Sequence, residues 1–151
     1  MSFLDKLKSG INNLSNDLKA RASRFKNANF KDATMAICAL VATADGVIQP
    51  EEKKKVAACI GTTEALKDFD AMELKGLFDK HCDAINADVD FGRVNAMRSV
   101  SKLKGKAEES EAAVQIALII ANADGVFQPE EKVQVSAICR ALGLDAKAYG
   151  V

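Results

Sequence analysis

Two acid-rich segments hold the residues whose types and spacing could do chemistry in this chain. Residues 45–52 read Asp-Gly-Val-Ile-Gln-Pro-Glu-Glu, and residues 124–131 read Asp-Gly-Val-Phe-Gln-Pro-Glu-Glu. Carboxylate oxygens are hard ligands of the kind that Ca²⁺ prefers in proteins. The segments therefore predict binding of Ca²⁺ or another divalent cation. The candidate metal ligands are Asp45, Glu51, Glu52, Asp124, Glu130 and Glu131.

The spacing reproduces the second half of a calcium-binding EF-hand loop. There, a glycine makes the tight turn, an apolar residue follows two positions later, and a glutamate six positions later supplies two oxygens. Gly46, Ile48 and Glu52 fit this half. The first half fails, because the first ligand position holds Val41 in one copy and Ile120 in the other, and neither offers a side-chain oxygen. An ordinary EF-hand is disfavoured, and a weaker site of carboxylates and water, shared between the two turns, stays open.

A second explanation is that these acids only stabilise helix ends. The glutamates follow a proline that suits the first position of a helix, where exposed N–H groups and the helix dipole favour negative charge. Asp45 and Asp124 differ, because an acid after a helix opposes the dipole unless its carboxylate caps the next helix. Capping and a functional role are both open for these two aspartates.

Other reactive residue types give little support for catalysis. His81 is the only histidine and has no acid at a useful sequence spacing, so a structural role is favoured. The four cysteines lack zinc-finger spacing and sit in apolar stretches, so they resemble small buried hydrophobes with free thiols. They are Cys38, Cys59, Cys82 and Cys139. We predict that the protein is not an enzyme.

Composition and periodicity predict an all-α fold. Alanine, leucine, lysine and glutamate are abundant, and the chain has two prolines. A shift of 79 positions (124 minus 45) aligns the two acid-rich segments and the apolar helices before them. The pattern predicts a compact bundle of two pseudo-symmetric helical hairpins, at about 31–60 and 110–139. Their turns are expected to lie on one surface or to face each other.

The helices that follow the first hairpin are also visible in the pattern. A short helix is expected from Thr63, longer ones at 71–87 and 88–104, and a basic connector around Gly105 at 102–106. In the turns, Gly46 suits a left-handed position after a helix, and Pro50 suits the first position of the next.

Residues 1–28 form a segment of different character from the helical domain at 29–151. Apolar residues at spacings of three and four, with lysines and arginines between them, predict a basic amphipathic N-terminal helix or arm over residues 2–27. Such a helix could cover its own protein, which is favoured, or lie on an anionic membrane. No signal peptide or membrane-spanning run is apparent, which predicts a cytoplasmic protein. The 21 basic and 21 acidic residues balance, so nucleic acid is not an expected partner.

The doubled signature, the alanine-rich helix before each copy and the opening Met-Ser-Phe-Leu-Asp-Lys-Leu-Lys resemble the TerB-like family of bacterial tellurite-resistance proteins. The resemblance implies an all-helical fold and a role in tellurite resistance and stress response. It also implies partners, namely a TerC-like membrane protein and calcium-binding TerD-like proteins, hence a peripheral position at the inner membrane. In that family the acidic turn residues are candidates for metal binding.

Three functions are compatible with these sequence features. The first is a non-enzymatic helical adaptor or sensor that binds a divalent cation at its two acidic turns. The second is a metal-free docking module that links cytoplasmic partners to a membrane-bound resistance complex. The third has the thiols reduce tellurite directly, and the apolar surroundings of the cysteines argue against it.

Overall fold

The computed structural model describes residues 1–10, 13–123 and 127–151. Within these ranges the chain forms eight α-helices and two short 3₁₀ helices, with no strand. The α-helices are α1 Phe3–Lys8, α2 Leu14–Ala22, α3 Ala28–Ala42, α4 Pro50–Thr62, α5 Ala71–Ala87, α6 Val89–Ser101, α7 Ala107–Ala121 and α8 Pro129–Leu142. The 3₁₀ helices span Glu64–Leu66 and Ala146–Tyr149. The all-α class predicted from the sequence is confirmed.

Helix α3 occupies the centre of the structure. Every residue from Ala33 to Val41 is buried, and all of them except Thr34 are apolar. The Thr34 hydroxyl donates to the Phe30 carbonyl at 2.7 Å, so its polar group is satisfied within the helix. Helices α5, α6, α7 and α8 pack around α3. A helix that is apolar on all sides is stable in water only when it is enclosed in this way.

The two repeated segments each form a helix–turn–helix. Helices α3 and α4 contain the predicted hairpin at 31–60, and α7 and α8 contain the one at 110–139. Both second helices begin at the signature proline, Pro50 or Pro129, as predicted. Gly46 has φ of 136°, a value that L-residues rarely adopt, so the glycine is required there. Gly125 lies outside the described residues, and the pseudo-symmetry of the two hairpins stays a prediction.

The N-terminal segment packs against the rest of the protein. The predicted single helix is divided into α1 and α2, and Gly10 after α1 has a φ of 70°. Phe3 and Leu18 are buried, and the Phe3 ring lies 6.5 Å from that of Tyr149 near the other end of the chain. The apolar side of the segment is thus used inside the molecule. Across the described ranges, no helix combines the length and apolarity needed to cross a membrane.

A polar cluster joins α3, α5 and α6. His81 Nε2 lies 2.8 Å from Asp32 Oδ1, and Lys102 Nζ donates to Asp32 Oδ2 at 3.3 Å. Burial alone would raise the pKa of Asp32, but hydrogen bonds from Ser99, His81 and Lys102 outweigh that effect and hold the pKa below its ordinary value. His81 therefore has a structural partner, Asp32. The two residues are 49 positions apart, so local spacing in the sequence does not reveal the pair.

Gly92 allows α5 and α6 to approach closely. A Cβ atom at this position would lie 2.4 Å from Ile85 Cα and 2.6 Å from the Ala84 carbonyl oxygen, both backbone atoms that cannot move independently. Gly76, in the middle of α5, has open space around the same position. One helical glycine is thus a packing requirement, and the other is not.

We expect Gly92→Ala to lower the free energy of unfolding by about 3 kcal/mol, because the added methyl group forces the two helices apart. Gly76→Ala is the matched control and should raise stability by about 0.5–1 kcal/mol, since alanine is the better helix former. Urea unfolding followed by circular dichroism measures both changes. Equal effects of the two substitutions would contradict the close approach of α5 and α6.

Candidate functional site

A cleft lies between the two acidic turns. It has a volume of about 530 Å³, which is within the range of ordinary ligand pockets. Asp45 and Glu52 line it from the first signature, and Gln128, Glu130 and Glu131 line it from the second. The structure therefore brings described residues of both turns to one place. The sequence analysis expected the two turns to lie on one surface or to face each other.

The floor of the cleft is apolar and continuous with the core. It consists of side chains from the ends of α3 and α7 and from the inner side of α4. These floor residues are Cys38, Val41, Ala42, Val56, Cys59, Ala117, Ile120 and Ala121. Around this floor stand four carboxylates and one lysine, Lys55. The cleft thus combines an apolar base with an acidic rim.

Asp45 makes no hydrogen bond or ion pair with another residue in the described part of the chain. Its side chain is exposed. The N-cap of α4 is Gln49, and no side-chain hydrogen bond caps this helix, so the hypothesis that Asp45 caps it is wrong. Asp124, its counterpart, lies outside the described residues. A functional role for Asp45 stays a prediction.

The four glutamates occupy the first turns of α4 and α8, where the helix dipole favours them, as predicted. Their surroundings differ. Glu131 accepts a hydrogen bond from the Gln128 N–H at 2.9 Å and so satisfies one of the free donors at the start of α8. Glu51 is exposed and does not line the cleft, whereas its neighbour Glu52 does.

The predicted metal ligands do not form a ready-made site in the described ranges. No group of three or more histidine, cysteine, aspartate or glutamate side chains there is arranged to hold an ion. Because Asp124 is outside these ranges, the complete predicted set is not represented. The binding of a divalent cation by Asp45, Glu51, Glu52, Asp124, Glu130 and Glu131 stays a prediction.

Two side chains distant in sequence hold the first turn in place. The Asn86 amide accepts a hydrogen bond from the Ile48 N–H and donates to the Ile48 carbonyl, each at 3.1 Å. Arg93 donates to the Thr43 carbonyl at 2.7 Å, near the end of α3. Sequence analysis missed both residues, because an asparagine on α5 and an arginine on α6 carry no local signal of such contacts.

Three of the four thiols are poorly suited to attack a substrate. Burial raises the pKa of Cys82 to about 12 and that of Cys139 to about 11, and it also raises the pKa of Cys38. A raised pKa keeps the thiol protonated at neutral pH and therefore a weak nucleophile. Cys59 is half-buried in the cleft floor, so the expectation of full burial holds for three of the four cysteines.

Known proteins match this chain over most of the helical domain. Residues 31–150 match the protein family described as Tellurite resistance protein TerB. The chain is also 30% identical to a tellurium resistance protein TerB from an Alcaligenes species over 118 residues, which cover 78% of this chain and 97% of that protein. No solved structure matches the chain significantly. The family match includes both acidic turns and the cleft between them.

Removing the Asn86 side chain should loosen the first turn. Asn86→Ala leaves the Ile48 N–H and carbonyl without their partner, and we expect a loss of about 1–2 kcal/mol in unfolding free energy. Hydrogen exchange of the Ile48 amide should accelerate in parallel. Asn95→Ala, on the neighbouring helix α6, is the control and should change stability by less than about 0.5 kcal/mol. Unchanged protection of the Ile48 amide in Asn86→Ala would show that the Asn86 side chain does not hold the first turn in place.

Proposed function

The chain belongs to the TerB family of tellurite-resistance proteins, and on that premise we propose that it is a non-enzymatic helical adaptor whose acid-rimmed cleft receives a segment of a partner protein. Association with tellurite resistance follows from the family. The adaptor role, the cleft as its binding site and the partner are the parts that we propose.

One observation carries this proposal: described residues of both acidic turns line one cleft with an apolar floor. An apolar surface that stays open to water is unfavourable and marks a place where a partner can bind. The four carboxylates on the rim, against one lysine, favour a partner segment with basic residues. The expected occupant is therefore a short segment that places an apolar side chain on the floor and lysine or arginine at the rim.

The same charges argue against a reaction on tellurite at this cleft. Tellurite is an oxyanion, and an acidic rim repels it. Cys38 lies in the cleft floor, and burial raises its pKa, which keeps it in the unreactive thiol form. His81 pairs with Asp32 in the cluster between α3, α5 and α6 and does not line the cleft. These features support an adaptor rather than a reductase.

The partners that we propose are proteins of the same resistance system. A TerC-like membrane protein would present a basic segment at the cytoplasmic face of the inner membrane, and TerD-like proteins would share the complex. An adaptor of this kind would act in the cytoplasm and in the response to stress. The acidic cleft suits basic segments close to a membrane, because such segments are common on the cytoplasmic side.

Charge reversal at the rim tests the docking proposal. We expect Glu52→Lys with Glu130→Lys to reduce capture of a TerC-like partner about tenfold, because the rim would then repel its basic residues. Tellurite resistance, measured as the inhibitory concentration in a resistant host that lacks its own copy, should fall towards the level without the protein. Circular dichroism verifies that the variant remains folded.

The matched control reverses the charge of two acids that also lie in the first turn of a helix but outside the cleft. Glu51 and Glu108 lie in the first turns of α4 and α7 and do not line it. Glu51→Lys with Glu108→Lys should lower the stability of the helix N-termini to a similar extent. It should retain partner capture and most of the resistance. Loss of capture in both double variants, or in neither, would overturn the assignment of the cleft.

A second candidate function is binding of a divalent cation at the rim. The observation in its favour is that Asp45, Glu52, Glu130 and Glu131 come from both turns and border one cleft. Because these described carboxylates are not arranged as a finished ligand set, an ion would have to draw them together and complete its coordination with water. Ca²⁺ fits best, since it accepts oxygen ligands in variable geometry.

A Ca²⁺ titration followed by NMR tests this second function. The amides around Gly46 and Glu131 should shift first, with a dissociation constant of about 10⁻⁴–10⁻³ M, as is usual for weak oxygen-ligand sites. Asp45→Asn with Glu52→Gln should abolish the shifts, whereas Glu108→Gln should not. Absence of any shift at millimolar Ca²⁺ would rule out the cation and leave the docking function intact.

A further inference from the structure

We propose that the cleft between the acidic turns binds its partner segment as an amphipathic α-helix whose basic residues are grouped at one end. This inference rests on the proposed docking function and adds to it the conformation and the charge pattern of the occupant. The walls of the cleft, the spacing of its floor residues and the position of its charges all favour such a helix.

The cleft walls are unsuited to an extended segment. The part of the chain that the structure describes contains no strand, so it offers no strand edge to which a peptide could add. The apolar side chains of the floor also lack strong hydrogen-bonding groups. An extended peptide pressed onto this floor would therefore leave N–H and C=O groups without partners, which is unfavourable. A helix pairs these groups internally.

The floor residues follow the spacing of helix faces. Two sets of three side chains lie at intervals of three and four residues, so each set lines one side of its helix. They are Cys38, Val41 and Ala42 on α3, and Ala117, Ile120 and Ala121 on α7. The second set comes 79 positions after the first, so the repeat supplies both sides of the floor. Because most of these side chains are small and α3 packs against α7, another helix can approach the groove between them closely.

The inner side of α4 is the wall of the cleft that lacks a cover. Val56 and Cys59 are half-buried there. The residues 79 positions later, Val135 and Ile138 on α8, are 1% and 0% exposed. The first hairpin thus leaves apolar side chains uncovered at positions where the second hairpin buries them. A helix seated in the cleft would cover Val56 and Cys59 and remove this apolar surface from water.

The carboxylates are grouped at one end of the cleft. Asp45 lies in the first turn segment, Glu52 in the first turn of α4, and Glu130 and Glu131 in the first turn of α8. Cys59 follows Glu52 by seven residues on α4 and therefore lies about 10 Å further along that helix. A helix bound along the cleft meets the acids at one end, and its lysines or arginines are expected there.

Two synthetic peptides of identical composition test the conformation of the occupant. Each has about 16 residues, close to the length at which an isolated helix becomes marginally stable. In the first peptide, leucines recur at spacings of three and four residues, and lysines lie at one end. In the second, leucines alternate with polar residues as in a strand, and the lysines lie at the same end.

The helical pattern should bind more tightly than the strand pattern. By calorimetry with the whole chain, we expect a difference of at least about tenfold, the factor that corresponds to one backbone group left without a partner. The first peptide should also gain helicity on binding, measured by circular dichroism. Replacing its lysines by glutamate should abolish binding, because the rim is acidic.

The thiol of Cys59 reports where the peptide binds. Cys38, Cys82 and Cys139 are buried, so a soluble disulfide reagent should react first with Cys59 in the cleft floor. A saturating amount of the helical peptide should slow this reaction, and the strand-pattern peptide at equal concentration should slow it less. Cys59→Ala identifies the reacting thiol, because the fast reaction should be absent from that variant.

Filling the floor of the cleft is the matched test on the protein. Ala121→Phe occupies the space of the bound helix and should weaken binding of the helical peptide about tenfold. Ala58 is exposed on α4 outside the cleft, and Ala58→Phe should bind the peptide as the unmodified protein does. Circular dichroism verifies that both variants are folded, and the comparison of the two peptides on the unmodified chain is independent of them.

Three results would overturn the inference. They are equal affinity or no binding of the two peptides, binding of the helical peptide that leaves the reaction rate of Cys59 unchanged, and equal weakening by Ala58→Phe and Ala121→Phe. Failure of the docking function has a different signature, since capture of the TerC-like partner would then be unaffected by Glu52→Lys with Glu130→Lys. Capture that depends on these glutamates, together with equal binding of the two peptides, would retain the docking function and reject the helix.

Discussion

The enclosure of α3 on all sides is the constraint on which the rest of this structure depends. Because this helix is apolar around its whole circumference, α5, α6, α7 and α8 must surround it. That arrangement directs the turn after α3 to the surface of the bundle while its flanking residues remain buried, as Thr43 and Ile48 do. The carbonyl of Thr43 and the backbone of Ile48 then need partners, which Arg93 and Asn86 provide. The wall of the cleft is thus a continuation of core packing.

The cleft is the place where core and surface chemistry meet. Its floor is made of apolar side chains from α3, α4 and α7. The acids on its rim differ in how much they contribute to the structure. Glu131 contributes to the start of α8, while Asp45 has no partner in the described part of the chain. An acidic rim around an exposed apolar floor is expected where a ligand completes the surface. This is the physical basis of our proposal that a partner binds at the cleft.

The chain is neutral overall, but its cleft concentrates four carboxylates against one lysine. Arg93 on α6 donates to the Thr43 carbonyl, so this helix supports the first acidic turn from outside the hairpin. Under our proposal, the acidic cleft is available for a basic partner segment.

The sequence by itself determined the local structure of this protein. Helix content, the breaks at Gly46, Pro50 and Pro129, and the central burial of α3 follow from residue propensities, fixed backbone dihedrals and apolar periodicity, which act over a few residues. The repeat suggested that the two turns lie near each other, but only the tertiary structure decided that an apolar floor lies between their described residues, that Asn86 and Arg93 hold the first turn, and that His81 pairs with Asp32. These contacts join residues 38, 50 and 49 positions apart. No local pattern specifies such pairs, because they are set by how whole helices pack.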